Sequence, residues 1–223
     1  MPVLRVTAVA EASRAGVLRR RIRWIVAATI AYNLIEAVVA VTAGTIASSA
    51  ALIGFGLDST IEVLSAAAVA WQFTRRDPER WERGTLRVIA VAFFALATYV
   101  TVSSVTALVL RTEPETSPIG IVLTAVSVLV MPFLSLAERR AGRQLGSATA
   151  VADSKQTLIC TYLSAAVLVG LVANAAFGWW WADAVAGLVI AVFAVREGVE
   201  AWRGDACATS VGMLLEDEHD HHD

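Results

Sequence analysis

The sequence predicts an all-α membrane protein with six transmembrane helices and both termini in the cytosol. Composition is the first observation, since 57% of the residues are hydrophobic and the mean hydropathy is +0.64, whereas a soluble domain is about 45–50% apolar. The second observation is that the apolar residues form runs close to the roughly 20 residues that a spanning helix needs. The third is that arginines are concentrated in every second loop, which indicates one orientation across a membrane.

Six apolar runs follow one another along the chain. The predicted spans are residues 24–42, 48–71, 88–110, 119–136, 147–172 and 182–195. A basic arm of residues 1–22 precedes the transmembrane domain of residues 23–203, and residues 204–223 form a short acidic tail that contains histidine. A tail of this length is too small to bury a core of its own, so no soluble catalytic domain is expected. Between the first two spans, a short loop is expected at residues 43–47.

The loops differ in their arginine content. Five arginines follow the second predicted span and three follow the fourth, whereas the loop after the third holds one arginine and two glutamates. Positive residues concentrate on the cytosolic side of membrane proteins. Both termini and the loops after spans two and four are therefore predicted to face the cytosol. Because nearly every basic residue is arginine, we expect a multi-pass protein of a prokaryotic inner (plasma) membrane.

The second predicted span carries two acids near its middle. Asp58 and Glu62 are four positions apart, which places both carboxylates on one helix face, about 6 Å apart at Cβ. A charge at bilayer depth costs at least ~2.5 kcal/mol, so the pair indicates a bound cation. The alternative is a structural pairing, for instance with Lys155.

The fifth predicted span contains a second polar pair at the same spacing. Gln156 and Cys160 begin about ten residues into the span, or ~15 Å along a helix. Because spans two and five enter from opposite sides, the two pairs are expected to meet near the midplane, as in transporters built from inverted repeats. The alternatives are an amide that bonds a neighbouring helix and a thiol that fills a core.

Two more acids are candidates for moving ions to such a site. Glu36 lies about 12 residues into the first span and is a candidate proton relay, with a hydrogen bond to Asn33 as the alternative. Asp153 lies nearer the cytosolic end of the fifth span and is a candidate ion-entry group. Histidine occurs only in the tail, where it is either a weak metal ligand or part of a solvated segment.

The two polar motifs resemble those of a known family. ALIGFGLDSTIEVLSA on span two and AVADSKQTLICTYLSA on span five are similar to the metal-site helices of the cation diffusion facilitators, which export zinc and related divalent cations against protons. That family has His or Asp, three residues, then Asp on each helix, and the four side chains form a tetrahedral site in mid-membrane. The residues at the matching positions are Asp58, Glu62, Gln156 and Cys160. Further similarity lies in Asn33, Gly44 and WADAVAGLVIA with Asp183.

Three features depart from the family pattern. The spans lack histidine, the second motif has an amide and a thiol, and the cytosolic metal-binding domain is missing. The chain is therefore interpreted as a variant without the C-terminal domain. Zinc commonly takes four ligands from sulfur, nitrogen and carboxylate oxygen, while oxygen ligands also suit manganese or iron. The identity of the metal stays open, with zinc as the first expectation.

These residues predict a divalent metal cation transporter that exports zinc or a similar ion in exchange for protons. Two adjacent buried carboxylates do not both ionise without a metal, so metal entry releases protons. The metal is the transported substrate, and no prosthetic group, nucleic acid or enzymatic activity is expected. The resemblance implies a homodimer. The alternative function is a non-transporting membrane metal-binding sensor or partner subunit.

Overall fold

The computed structural model describes the backbone of residues 2–73, 78–145 and 148–203. It describes side chains in residues 24–68, 83–144 and 157–203, apart from Val26, Glu138, Ala141, Gly142. These ranges contain six helices and no strand. The helices are α1 (Pro2–Ala47), α2 (Ala50–Phe73), α3 (Pro78–Leu110), α4 (Pro118–Leu145), α5 (Ala148–Phe177) and α6 (Trp180–Arg203). The all-α prediction is confirmed.

Five of the helices contain a stretch that is long and apolar enough to cross a membrane. Within the described residues these stretches are Ala27–Ala47, Ala50–Ala68, Arg83–Leu110, Pro118–Ala137 and Thr157–Phe177. The sixth helix packs against α2, α3 and α5, but Asp183, Arg196 and Glu197 leave it no uninterrupted apolar stretch of that length. The protein is a multi-pass membrane protein, and α6 completes the bundle of six helices.

The connection between α1 and α2 is shorter than the sequence predicts. A loop at residues 43–47 was expected, but α1 continues through Ala47 and only Ser48 and Ser49 separate the two helices. Ser48 has a φ of 53°, and the Ser49 N–H donates to the Gly44 carbonyl at 2.9 Å. A left-handed residue followed by such a bond is a Schellman ending, which reverses the chain in two residues.

Two glycines bring α1 and α2 close together. A Cβ atom on Gly44 would lie 2.7 Å from the backbone nitrogen of Ile53, and one on Gly56 would lie 2.8 Å from that of Val41. Side chains larger than hydrogen would therefore push the helices apart. Small residues allow this approach between membrane helices, and it holds α1 beside the helix face that carries Asp58.

The connections α1–α2, α3–α4 and α5–α6 lie at one end of the bundle. The Glu115 N–H donates to the Ala47 carbonyl at 2.9 Å, and the Asn174 side chain donates to the Pro114 carbonyl at 2.8 Å. Since α2 starts at this end and α5 finishes there, the two helices run in opposite directions, as predicted. Helix α2 contacts α1, α3, α5 and α6, which makes it the most central helix.

Candidate metal site

Helices α2 and α5 meet through one acid and one thiol. The buried Cys160 Sγ donates a hydrogen bond to Oε1 of the half-buried Glu62 at 2.7 Å. The structure thus brings together one member of each polar pair that the sequence singles out. A carboxylate and a sulfur in contact across two oppositely directed helices are chemically suited to share a transition-metal ion.

Helix α1 supplies a second hydrogen bond to the same carboxylate. The Asn33 Nδ2 atom donates to Glu62 Oε2 at 2.7 Å. Asn33 is only 7% exposed, and its Oδ1 atom has no hydrogen-bond partner. Both oxygens of Glu62 therefore accept hydrogen bonds, one from α1 and one from α5. The predicted alternative of a bond between Asn33 and Glu36 is wrong, because α1 turns the Asn33 amide toward α2.

Asp58 lies one helical turn before Glu62 on α2 and is buried. It is near enough to interact electrostatically with Glu36 on α1 and Glu197 on α6, and also with Cys160 on α5. The surroundings of Asp58 are therefore rich in acidic and sulfur groups. A cation close to Asp58 would offset the repulsion among the carboxylates, because attraction between opposite charges is strong in a low dielectric.

Glu36 is the centre of a second buried polar group that joins three helices. It is 1% exposed, and its Oε2 atom accepts a hydrogen bond from Ser59 Oγ at 2.8 Å. Its Oε1 atom accepts a hydrogen bond from Ser127 Oγ, and Ser127 in turn shares a 2.8 Å hydrogen bond with the Tyr32 hydroxyl. Ser59 follows Asp58 directly in α2, so the Glu36 group borders the helix that carries Asp58 and Glu62.

The serine partners of Glu36 were not foreseen from the sequence. Ser59 could have been identified as a candidate from the sequence, because it is adjacent to Asp58. Nothing in the sequence identifies Ser127, since a single serine in an apolar run more often bonds its own helix. Ser127 does also bond the Leu123 carbonyl of its own helix, at 3.0 Å. Only the packing of α4 against α1 brings Ser127 to the carboxylate.

Several predicted residues lie outside the described side chains. Gln156 and Asp153 belong to α5, and Lys155 lies between them, but the structure describes only their backbone. The tail histidines also lie outside the described residues. Among the side chains that the structure does describe, no three His, Cys, Asp or Glu residues form a group that could hold a metal ion. The described part of the site is therefore the contact between Glu62 and Cys160, with Asp58 and Asn33 beside it.

Asp183 holds the start of α2 in place. It lies in the first turn of α6 and is buried. Its carboxylate accepts hydrogen bonds from Ser49 Oγ and from the Ala51 N–H at 3.4 Å, and Ser49 Oγ accepts one from the Leu52 N–H at 3.0 Å. Carboxylates stabilise the N-terminal end of a helix dipole. Asp183 therefore fixes α6 to the helix that carries Asp58 and Glu62.

Residues 26–203 match the family model of the cation efflux transmembrane domain. The chain is also similar to a cation-efflux pump, FieF, of Shewanella oneidensis, with 33% identity over 106 residues, which are 48% of this chain and 34% of that protein. A second similar protein is transmembrane protein 163 of Xenopus laevis, with 23% identity over 186 residues, which are 82% of this chain and 66% of that protein. The chain thus spans about a third and about two thirds of the lengths of these relatives.

Proposed function

Because this chain belongs to the cation diffusion facilitator family, as the match of residues 26–203 to the cation efflux transmembrane domain shows, we propose that it exports a divalent transition-metal ion in exchange for protons. The proposed site consists of Asp58, Glu62, Gln156 and Cys160. Zinc is the proposed principal substrate, and the plasma membrane is the proposed location. The similarity to a protein named as a cation-efflux pump supports the direction of transport.

The contact between Glu62 and Cys160 is the observation that carries this proposal. The two residues come from α2 and α5, which run in opposite directions, and their side chains are 2.7 Å apart. Thiolate ligands favour zinc and cadmium over manganese, which prefers oxygen ligands. A site with one sulfur and several carboxyl or amide oxygens therefore suits zinc or cadmium best.

The same contact supplies a mechanism for proton release. The Cys160 S–H group donates a hydrogen bond to Glu62 Oε1. A metal ion binds the thiolate rather than the thiol, so binding at Cys160 expels that proton. Glu62 then loses its hydrogen bond from sulfur and can direct Oε1 toward the metal. Each metal bound at this site accordingly releases at least the thiol proton.

The packing of the helices is consistent with a site that opens. Helix α4 packs closely on α5, α1 on α2 and α3 on α6, whereas α2 meets α5 sparingly. Relative rocking of these packed pairs would separate α2 from α5 while each pair keeps its own contacts. The site between α2 and α5 would then be exposed to alternate sides of the membrane, as in other transporters with a site at mid-depth.

The proposal is tested by transport in proteoliposomes that contain a pH-sensitive dye. Zinc, cadmium, manganese, cobalt and iron(II) are offered in turn to the wild type, Asp58→Asn, Glu62→Gln and the control Glu113→Gln, which changes an exposed loop acid. We expect metal-dependent proton movement that both site variants abolish and the control retains. Metal binding by calorimetry without any transport by the wild type would instead favour the sensor or partner subunit. Transport at the wild-type rate by Asp58→Asn and Glu62→Gln would exclude the proposed site.

A further inference from the structure

Asn33 has an unused polar atom beside the proposed metal site. Its Nδ2 atom is 2.7 Å from Glu62 Oε2, so the amide group stands directly against a proposed ligand. The Oδ1 atom of the same amide is buried and accepts no hydrogen bond. Buried carbonyl oxygens in folded proteins nearly always have a partner. An orphan oxygen at this place therefore indicates that the oxygen serves a partner that binds at the proposed site.

A cation bound at Glu62 would reverse the preferred orientation of the Asn33 amide. The NH₂ group stabilises a negatively charged Glu62, but it carries partial positive charge and would be repelled by a metal ion at the same carboxylate. The terminal torsion of asparagine is broad and roughly two-fold. Rotation about it exchanges Nδ2 for Oδ1, and an amide oxygen is a good ligand for divalent cations.

We propose that Asn33 is an oxygen ligand of the transported cation, and that its amide turns over when the cation binds. This inference rests on the proposed function, since it needs a cation at Glu62. It extends the site from α2 and α5 to α1, which the sequence did not assign to metal binding. The close approach of α1 to α2 at Gly56 is the packing that makes a ligand from α1 possible.

Two substitutions separate a ligand role from a merely structural one. Asn33→Leu keeps the approximate size and removes both the donor and the oxygen. Asn33→Asp removes the donor but keeps an oxygen in the same place. If Asn33 only donates a hydrogen bond to Glu62, both variants lose it, and the aspartate additionally sets a like charge against Glu62. If the oxygen binds the cation, the aspartate variant keeps the ligand.

The experiment measures zinc, cadmium and manganese binding to the purified full chain by calorimetry, with zinc-edge X-ray absorption to count ligands. We expect Asn33→Leu to weaken zinc binding at least about tenfold, as changes that disturb a metal site do. We expect Asn33→Asp to bind zinc within about threefold of the wild type and manganese more tightly, because a second oxygen charge favours a hard cation. The absorption spectrum of Asn33→Leu should lose one oxygen or nitrogen ligand and keep its sulfur at about 2.3 Å.

Unchanged zinc binding by Asn33→Leu, or equal weakening in both variants, would overturn the ligand role. If Asn33→Leu does not fold, Asn33→Asp decides, because retained binding supports the ligand and lost binding overturns it. Glu62→Gln tests the proposed function separately from the role of Asn33. If the wild type transports metal and Glu62→Gln does not, the proposed function stands. Either contrary Asn33 result then removes only Asn33 from the site.

Discussion

Glu62 and Cys160 are 98 residues apart in the chain, yet their Oε1 and Sγ atoms are 2.7 Å apart. This contact joins the two helices that carry the polar pairs, and it places a soft sulfur atom next to a hard carboxylate oxygen. The thiol proton that lies in it must leave before sulfur can bind a metal. Under the proposed function, this one contact would therefore determine both which metal binds and when a proton is released.

Cys160→Ser should change the choice of metal while preserving the hydrogen bond to Glu62, since a hydroxyl can also donate. We expect zinc and cadmium affinity to fall by about 10–100-fold and manganese affinity to change little, because only the soft ligand is lost. Calorimetry with the three metals measures this, and Cys207→Ser is the control. Equal loss for all three metals would indicate that the substitution disrupts the fold instead.

Glu36→Gln should separate proton movement from metal binding. The amide keeps the size of Glu36, and the hydroxyls of Ser59 and Ser127 can reorient to bond it. If Glu36 relays protons, metal-driven proton flux should fall by about 10²–10⁴-fold, the range contributed by positioned acid–base groups. The dissociation constant for zinc should remain within about threefold. The measurement is dye-reported flux beside calorimetry, and Glu113→Gln is the control. A wild-type flux would mean that Glu36 only supports the packing of α1, α2 and α4.

Asp183→Ala should destabilise the protein, because it removes the carboxylate that binds Ser49 and the first turn of α2. Loss of a buried hydrogen-bonding partner or helix cap costs about 1–3 kcal/mol. Thermal unfolding in detergent should therefore show a lower midpoint. Glu200→Ala is the control, since it removes only the exposed pair with Arg196 at 2.9 Å, and its midpoint should not change. Equal midpoints for all three proteins would contradict the role assigned to Asp183.

Gly56→Ala should impair both stability and transport, because a Cβ there would lie 2.8 Å from the Val41 backbone nitrogen. Separation of α1 from α2 would also move Asp58, two positions later in α2. Gly84→Ala is the matched control, since a Cβ at Gly84 meets nothing within 4 Å and alanine stabilises a helix by roughly 0.5–1 kcal/mol relative to glycine. Thermal unfolding and zinc transport measure both variants. An unimpaired Gly56→Ala would show that the two helices need not approach so closely.

Local patterns in the sequence were sufficient to predict the helices and to place the candidate site residues on them. Long apolar runs predicted the order of the helices, and the spacing of Asp58 and Glu62 placed them on one face, because helical periodicity depends only on neighbouring residues. The ends were less predictable. Helix α1 continues through the expected loop and ends just before Ser48. It ends there because Ser48 adopts a left-handed conformation, which the close contact between α1 and α2 accommodates and which the residue types do not reveal.

By itself, the sequence determined the helical class, the membrane character, the opposed directions of α2 and α5, and the residue types available for binding a metal. Tertiary structure decided which of those residues meet. Asn33 turned to Glu62 rather than Glu36, Ser127 came to Glu36 from α4, and Asp183 reached across to α2. Such contacts depend on how each helix is rotated and offset against its neighbours. Those rotations and offsets are set by packing between distant segments, which no local pattern in one chain records.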